Sequence, residues 1–437
     1  MRPRIARRKS VPASQSVEQL GPTVAVIGSG PSGCYTAQFL RKERADAEIT
    51  VFEALPVPYG LVRYGVAADH QGTKAVARQF DRMFERNAVT FVGNTRIGVD
   101  ISFEELTSAF DVVVIATGLP SDRQLEIPRD EDAHVVGAGR VLRTLNAFPE
   151  EAALANEPLD GELGDDLIVV GQGNVAVDVV RLLTKASHHL TGSDIDDRAL
   201  DLLRPTPPKT VRVIGRSPAS NAKFDLAMLR ELCGIDTLAV QVEGLGDSED
   251  GPVVDLLRAA VQKTTSVDTA DRTVLTLHFD TIPTRIRHQD TRTVLEVTGP
   301  SGETDSYAAD TVITAIGFCQ TDDTRDDVPV AAWSGAHVYR VGWLDRNGRG
   351  NIAENRKHAQ TVARSIVADL ADGRIPPKGA GGLATVLPQL HSSTVGFDGW
   401  LAIDEAERSA ADTHRCRRKI TNLDEMVAIA HSAGRSS

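Results

Sequence analysis

The chain has 437 residues, 41% of them apolar, and carries 48 Lys and Arg against 60 Asp and Glu, for a formal net charge of −12. This length exceeds what one hydrophobic core usually organises, so we expect at least two domains. The acidic balance argues against broad electrostatic binding of nucleic acid, and no apolar run approaches the ~18 residues that would predict a membrane-spanning helix.

Residues 1–17 contain five basic side chains and no acid, a pattern that suits a short presequence or a disordered tail. We favour the tail because no apolar segment comes after it. The cysteines are scattered, with neither a C-x-x-C pair nor the spacing of a metal site: Cys34, Cys233, Cys319 and Cys416. This usage predicts free thiols, no metal, and a reducing compartment such as the cytoplasm.

The first informative segment is Val24–Gly33, VAVIGSGPSG, where a buried-strand run meets a glycine turn and then helix-forming residues. Such a turn directs backbone N–H groups and a helix N-terminus at a pyrophosphate. We expect Gly28 to permit the turn, Gly30 to let the backbone approach the pyrophosphate, and Gly33 to let the helix pack on the strand. The next predicted strand ends on Glu53, 20 residues after Gly33, where a carboxylate binds ribose hydroxyls. A solvated surface carboxylate is the alternative.

Two further elements come before the middle of the chain. Apolar residues keep helical spacing from about Gly72 to Arg86, and Asp69 is expected to cap that helix. The segment Asp111–Gly118, DVVVIATG, predicts a buried parallel strand.

A second glycine turn lies in Leu167–Asp178, LIVVGQGNVAVD. Gly171 and Gly173 repeat the first two glycine positions, while Asn174 and Val175 open the helix and an alanine replaces the third glycine. Two such turns predict two bound dinucleotides.

The choice of the second dinucleotide depends on the end of the next strand, where an acid favours NAD and a basic residue accommodates the 2′-phosphate of NADP. Arg216 and Ser217 stand there. Arginine offers a bidentate, charge-assisted contact and serine one neutral hydrogen bond, and Lys223 would add a charge if its loop folds back. This favours NADP, with a solvated cation as the alternative interpretation of Arg216.

The remaining elements continue the alternation. A polar insert over 187–209 precedes strands predicted at 210–215, 273–279, 293–297 and 310–317, and these lead to a helix from about 354 to 370 and a partly helical tail. Strands alternating with helices predict an α/β protein with parallel, doubly wound sheets.

These motifs resemble the adrenodoxin reductase family of ferredoxin–NADP reductases, which carry FAD and use NADPH. The resemblance runs nearly end to end through VAVIGSGPSG, PVPYGLVRYGVAADH, VVVIATG, GQGNVAVD and VIGR. It implies two Rossmann-like, three-layer dinucleotide-binding domains, the second inserted into the first. The FAD domain would comprise residues 1–125 and 338–437, with 1–20 a tail and 380–437 an extension, and the NADP domain residues 126–337.

The resemblance also implies site residues. Leu61 and Val62 would run beside the isoalloxazine ring, and Trp343, Gly350 and Ile352 would supply backbone contacts to the flavin; each could instead serve packing. The family usually has two arginines at the 2′-phosphate, so Ser217 in the second position implies a weaker phosphate contact.

Family members place a His, an Asp and a Glu where nicotinamide meets flavin, and the matching positions here are His70, Asp178 and Met228. His70 would relay a proton or simply bond at a helix start, and Asp178 would act there or favour the positive end of its helix. Met228 binds no proton, so we expect it to pack. Asp225, three residues earlier, could replace the Glu, although a helix N-cap is favoured for it.

Mitochondrial-type members of this family dock an acidic ferredoxin on an arginine-rich stretch. The corresponding stretch of this chain is acidic, GDSEDGPVVD at residues 246–255, and would repel such a partner. Basic residues instead concentrate beside the presumed flavin edge, or form a solvated rim: Arg346, Arg349, Arg356 and Lys357. The leading hypothesis is an NADPH-dependent flavoenzyme that reduces a small iron–sulfur ferredoxin, itself serving a haem monooxygenase. The second is an FAD enzyme that uses NAD(P)H to act directly on a small molecule.

Overall fold

The computed structural model describes residues 21–149, 159, 161–246, 249–265, 271–320, 329–376 and 379–433. The basic segment 1–17 lies outside these residues, as do positions 247 and 248 of the acidic stretch. Across the described ranges, no helix is both long enough and apolar enough to cross a bilayer.

The strands of the described residues are β1 (Thr23–Ile27), β2 (Glu48–Phe52), β3 (Val89–Val92), β4 (Val112–Ile115), β5 (Ser121–Asp122), β6 (Val135–Gly137), β7 (Asp166–Val170), β8 (Thr210–Ile214), β9 (Leu238–Glu243), β10 (Thr273–His278), β11 (Ile282–Gln289), β12 (Arg292–Thr298), β13 (Thr304–Ala309), β14 (Thr311–Thr314), β15 (Phe318–Cys319) and β16 (Val338–Arg340).

The α-helices are α1 (Pro31–Glu43), α2 (Leu61–Tyr64), α3 (Gln71–Lys74), α4 (Ala77–Arg86), α5 (Phe103–Ala109), α6 (Ala138–Leu145), α7 (Asn174–Thr184), α8 (Asp197–Leu203), α9 (Leu226–Cys233), α10 (Pro252–Thr265), α11 (Trp343–Arg346), α12 (Ile352–Ala371), α13 (Leu383–Val386), α14 (Phe397–Ser409) and α15 (Leu423–Ala433). Short 3-10 turns occur at Ser187–Leu190, Ala219–Asn221, Val330–Ala332 and Leu387–Gln389.

The first sheet has the order β16-β4-β1-β2-β3, and all of its neighbouring strands are parallel. Side chains of β1 and β4 are buried on both faces, with alternate residues entering two different cores. Burial on both faces explains why these strands are continuous apolar runs rather than alternating ones. Strand β16 enters this sheet after the whole second sheet has been completed, so the second unit is inserted into the first.

The second sheet has the order β6-β14-β7-β8-β10-β9 and is also parallel. Helices α6, α7 and α9 cover one face, where Leu142, Val180 and Leu229 join its core. The other face is covered by an antiparallel meander of β11, β12 and β13, through Ile286, Leu295 and other apolar side chains. The predicted α/β class with two Rossmann-like units is therefore confirmed, and the meander replaces helices as one outer layer.

The two units are joined by a narrow connection. Strand β5 leaves the first unit and pairs antiparallel with β15, which returns to it, in the register Asp122↔Phe318 and Ser121↔Cys319. The Asp122 carboxylate then accepts hydrogen bonds from the Gly139 and Arg140 N–H groups at the start of α6, at 2.7 and 2.9 Å. The Asp122 side chain thus attaches the connection to the second unit.

One predicted helix start is wrong. The segment after Asp69 is divided into α3 and α4, and the residue preceding α3 is His70, whose side chain makes no capping hydrogen bond. The Asp69 carboxylate does not cap this helix: it forms ion pairs with Arg181 of α7 and with Lys185, the residue after that helix. Two cations from a distant part of the chain bind this carboxylate more strongly than a local N–H group does.

Candidate functional site

A cavity of about 1310 Å³ opens between the two units and reaches from the first glycine turn to the start of the helix that follows the second. Its wall includes ten of the residues predicted from the sequence: Gly28, Gly30, Glu53, Leu61, His70, Asn174, Val175, Asp178, Trp343 and Ile352. Other predicted residues lie off this wall: Gly33, Val62, Gly171, Gly173, Gly350, Arg216 and Ser217. The structure therefore brings the first turn, the start of the second-turn helix and the expected junction to one space.

The first turn has the geometry that a pyrophosphate needs. Gly28 has φ of +101°, and a Cβ there would lie 2.6 Å from the carbonyl oxygen of Ala116. At Gly30, which precedes α1, a Cβ would meet no described atom within 4 Å, so the backbone faces open space. Gly33 is not exposed to the cavity because its Cα faces the Gly28 carbonyl inside the turn.

Glu53 is held against this turn. Its Oε2 accepts hydrogen bonds from the N–H and hydroxyl of Ser29, at 3.0 and 2.6 Å, and its Oε1 accepts one from the Leu55 N–H at 3.2 Å. A carboxylate oriented by three donors at the end of β2 is a preorganised acceptor for further O–H donors. This geometry does not fit the alternative of a freely solvated carboxylate.

The presumed flavin contacts fall into two groups. Leu61 lies on the cavity wall at the start of α2, whereas Val62 is packed in the core of the first unit. Trp343 stacks on Phe318, with ring centroids 5.2 Å apart, and its Nε1 donates to the Gly350 carbonyl at 2.8 Å. Gly350 thus acts here by positioning Trp343.

The second turn repeats this geometry. Gly171 has φ of +127°, and its missing Cβ would point at the Ala315 carbonyl. The Asn174 side chain accepts a hydrogen bond from the Asp225 N–H at 2.8 Å, and Gly173 forms a bridge with Lys223. The loop after β8 therefore does fold back over the turn, as the prediction for Lys223 required.

Arg216 and Ser217 come after β8, outside the cavity wall. The Arg216 side chain is exposed and makes no hydrogen bond or ion pair with the residues that the structure describes. Acidic residues border the same loop: the Asp280 N–H donates to the Ser217 carbonyl at 3.2 Å, and Glu249 accepts from the Ser220 N–H at 2.8 Å. An approaching phosphate would therefore meet a guanidinium that is unpaired among the described residues, on a loop that Asp280 and Glu249 also contact.

At the junction, His70 stands between two carboxylates of the second unit. Its Nδ1 lies 3.6 Å from Asp178 Oδ1, and its Nε2 lies 3.3 Å from Glu231 Oε2. Met228 lies on the cavity wall and packs against the core of the second unit. Asp225 is the N-cap of α9, accepting from the Ala227 and Met228 N–H groups, and so does not replace the missing Glu.

The two carboxylates beside His70 have different electrostatics. Burial raises the pKa of Asp178, and the nearby Arg181 only partly opposes this. For Glu231, burial acts in the same direction, but hydrogen bonding to Lys185 and the charge of Arg181 hold its pKa below the ordinary value. His70 therefore has one firmly ionised neighbour and one that takes up a proton more readily.

Comparisons with known proteins identify the family to which the chain belongs. The family model of pyridine nucleotide-disulphide oxidoreductases matches residues 22–224. Cindoxin reductase of Citrobacter braakii is 40% identical over 433 residues, covering 95% of this chain and 93% of that protein. The mitochondrial NADPH:adrenodoxin oxidoreductase of Arabidopsis thaliana is 30% identical over 462 residues, covering 93% and 95%. The chain belongs to the adrenodoxin reductase family.

A solved structure of this family has the same fold. FprA of Mycobacterium tuberculosis, determined in complex with NADPH, superposes with a TM-score of 0.79 at 28% identity, covering 94% of this chain and 100% of that one. The four cysteines of this chain are all free thiols, as predicted.

Glu231 is a junction residue that the sequence did not single out. Position-by-position matching places Met228 where the family has Glu, and the nearest acid towards the start of α9 is Asp225. The helical period could have pointed to Glu231, because residues three apart in a helix share a face. Glu231 lies one turn after Met228 and so reaches His70 from the same side of the helix.

Proposed function

We propose that this protein is an FAD-containing ferredoxin–NADP reductase that receives hydride from NADPH and delivers single electrons to a small iron–sulfur ferredoxin. The observation that carries the proposal is the cavity between the units, which runs from the first glycine turn to the start of the helix after the second and has His70, placed between Asp178 and Glu231, on its wall. We propose residues 1–125 and 338–437 as the FAD domain and 126–337 as the NADP domain, supported by the return of the chain to the first sheet at β16.

The first turn fits FAD. Space lies open beside Gly30, α1 begins immediately after it, and Glu53 is preset at the end of β2. Asn355 of α12 lines the cavity, is 4% exposed, and has an amide oxygen without a described hydrogen-bond partner. A buried orphan acceptor of this kind is a suitable partner for an N–H or O–H donor of the cofactor.

The second turn fits NADPH. Asn174 and Val175 begin α7 at the cavity wall, and Arg216 offers a guanidinium unpaired among the described residues to a 2′-phosphate. Ser217, Glu249 and Asp280 make this phosphate site weaker than one with two arginines, because a hydroxyl and two nearby carboxylates replace a second positive charge. NADPH is therefore the preferred coenzyme, but its affinity exceeds that of NADH by less than it would at a site with two arginines.

Most of the chemistry belongs to the cofactors: when bound, NADPH supplies the hydride and FAD converts a two-electron donation into single-electron deliveries. The chain's own residues orient the two and exclude water from between them. Leu61 and Trp343 form apolar walls, and Met228 adds a third from α9. His70 holds or passes a proton at either ring nitrogen, because each faces a carboxylate.

The partner would approach the basic rim beside Trp343. Arg346 lies 3.7 Å from Glu354, and the Arg356 guanidinium covers the Tyr35 and Phe39 rings at 5.8 and 6.0 Å, so part of this charge serves the protein itself. Arg349 and Lys357 have exposed side chains. A rim of this sign attracts an acidic ferredoxin, which we propose to serve a haem monooxygenase.

The test is NADPH-driven reduction of cytochrome c by the purified flavoprotein, measured with and without added ferredoxins. We expect rapid reduction only when a ferredoxin is present. Substrate-dependent loss of NAD(P)H without any ferredoxin would instead support the flavoenzyme that acts directly on a small molecule. A correctly folded protein that binds no flavin would exclude both.

A further inference from the structure

We infer that Asp69 is a positioning residue, whose carboxylate fastens the second-turn helix α7 to the first unit and thereby sets where nicotinamide meets flavin. The inference rests on the proposed function. It concerns a residue that touches neither cofactor turn and whose local sequence predicts only a helix cap.

The centre of the contact is Arg181, a fully buried residue of α7. Its Nη1 contacts the Asp69 carboxylate and lies 3.2 Å from Glu231 Oε1, while its Nη2 bonds Asp178 Oδ1 at 2.8 Å. One guanidinium thus joins three carboxylates from three different segments. A planar fork of N–H donors fixes the directions of its partners in a way that a single ammonium does not.

Lys185 extends the contact by one helical turn. Its Nζ lies 2.7 Å from Asp69 Oδ2 and 2.9 Å from Glu231 Oε1. Burial would raise the pKa of Asp69, but Arg181 and Lys185 together hold it below its ordinary value, so this carboxylate is charged. Of the three carboxylates in the cluster, Asp69 alone precedes the second sheet in the chain.

The position of the contact explains its consequence. Asp178 and Arg181 are three residues apart and so share one face of α7, and Lys185 follows directly after the last residue of that helix. The same helix begins at the cavity wall, and the residue after Asp69 is His70, which faces Asp178 and Glu231. Holding this face of α7 to Asp69 therefore fixes the helix start, both junction carboxylates and His70 relative to the first unit.

A buried ion cluster of this kind contributes little net stability, because desolvation of the charges offsets their attraction, but it penalises misplaced arrangements strongly. Hydride transfer is sensitive to such placement, and a displacement of about 1 Å can cost about 100-fold in rate. The cluster is thus suited to alignment rather than to affinity.

The experiment compares D69N with the wild type and with D166N, a control whose carboxylate pairs with Arg292 inside the second unit. The measurements are flavin content, the Kd of NADP⁺ from the flavin absorbance change, the amplitude of that change at saturation, and the rate of anaerobic flavin reduction at saturating NADPH. For D69N we expect full flavin content, a Kd within about threefold, a smaller amplitude, and a reduction rate lowered roughly 10- to 100-fold. D166N should match the wild type.

If D69N retained the wild-type amplitude and reduction rate, the inference would be overturned. Should D69N fail to fold, K185M removes one partner of the same carboxylate and leaves Arg181 in place, and we expect a flavin reduction rate lowered about three- to tenfold. Wild-type behaviour of K185M would then overturn the inference. If D69N folds, the double variant D69N/K185M should have a flavin reduction rate little lower than that of D69N alone. Additive losses of rate in the double variant would count against a contact that the two residues share. Failure of the proposed function is separate, because it would show as a wild type that holds no flavin or is not reduced by NADPH.

Discussion

The two glycine turns share a backbone geometry and differ in the residues beyond them. At the first, Glu53 is bound to the turn through Ser29, and α2 approaches so closely that a Cβ on Gly60 would lie 3.3 Å from Gly30 Cα. At the second, Arg216 is exposed and unpaired within the described residues. One site is preset and enclosed, and the other is open.

This difference matches the two roles that the proposed reaction requires. A cofactor that stays bound through many turnovers needs polar groups already oriented for it, since preorganisation lowers the free energy cost of binding. A coenzyme that enters and leaves in each turnover needs an accessible contact that is strong enough for selection and weak enough for release. We therefore propose that different residues beside similar turns make the first site one for a resident cofactor and the second one for an exchangeable coenzyme.

The largest expected effect comes from alanine at the first glycine of each turn. In both G28A and G171A the new Cβ faces a strand-end carbonyl and the residue keeps a positive φ, so each turn must shift. We expect G28A to lose FAD affinity roughly 100-fold and G171A to keep its flavin while losing NADPH affinity by a similar factor. Flavin absorbance after gel filtration measures FAD retention in both variants, and an NADPH titration measures coenzyme affinity in G171A. A flavin-free G171A would contradict the division of roles.

Glu53 tests whether the first site is preset. E53A removes an acceptor from Ser29 and Leu55 as well as from the ribose, and we expect FAD affinity to fall roughly 30-fold. The matched control is E48Q, at the opposite end of β2, where the carboxylate accepts from the Leu383 N–H at 3.0 Å. Unchanged flavin content in purified E53A would show that this carboxylate does not hold the cofactor.

Arg216 tests the open site. R216A should raise the Kd of NADPH roughly 10-fold and change that of NADH less than about twofold, because only the phosphate contact is lost. The reverse change, S217R, should tighten NADPH binding by a similar factor. Equal losses with both coenzymes in R216A would discard the phosphate assignment.

The smallest effect concerns the rim outside the first site. Charge reversal of Arg346 and Arg349 should slow ferredoxin reduction about threefold at low ionic strength and much less in high salt, because long-range attraction is screened. Reversal of Arg198 and Arg364, both exposed and outside this rim, gives a control with the same net charge. An effect independent of salt would indicate packing instead of attraction.

Much of the fold and site could be predicted because local physics determines it. The strands around both turns are buried on both faces, so their apolar runs identified them to within a few residues, and the glycines could be assigned from the steric demands of the turns. Asp225 also obeys local rules, since an N-cap depends only on the next three residues.

The rest depended on contacts between distant parts of the chain. Asp69 carried a correct local signal for a cap, but Arg181 and Lys185, more than 100 residues away, bind its carboxylate instead. Glu231 became visible only once α9 was placed against His70. In the meander on the second sheet only the central strand was predicted, at 293–297; its neighbours β11 and β13 were missed because their many exposed residues give weaker apolar patterns than the buried strands of the parallel sheet.

The pairing of β5 with β15 has a consequence for how this architecture can be taken apart. Because the outgoing and returning strands are antiparallel neighbours, their Cα atoms lie about 5 Å apart, as in any such pair. Residues between Asp122 and Phe318 could therefore be excised and the ends closed by a short turn without stretching the remainder. The molecule is in this sense modular: the unit that we propose to bind the flavin forms a continuous body, and the inserted unit that we propose to bind the coenzyme could be exchanged between relatives with the covalent path of that body left intact.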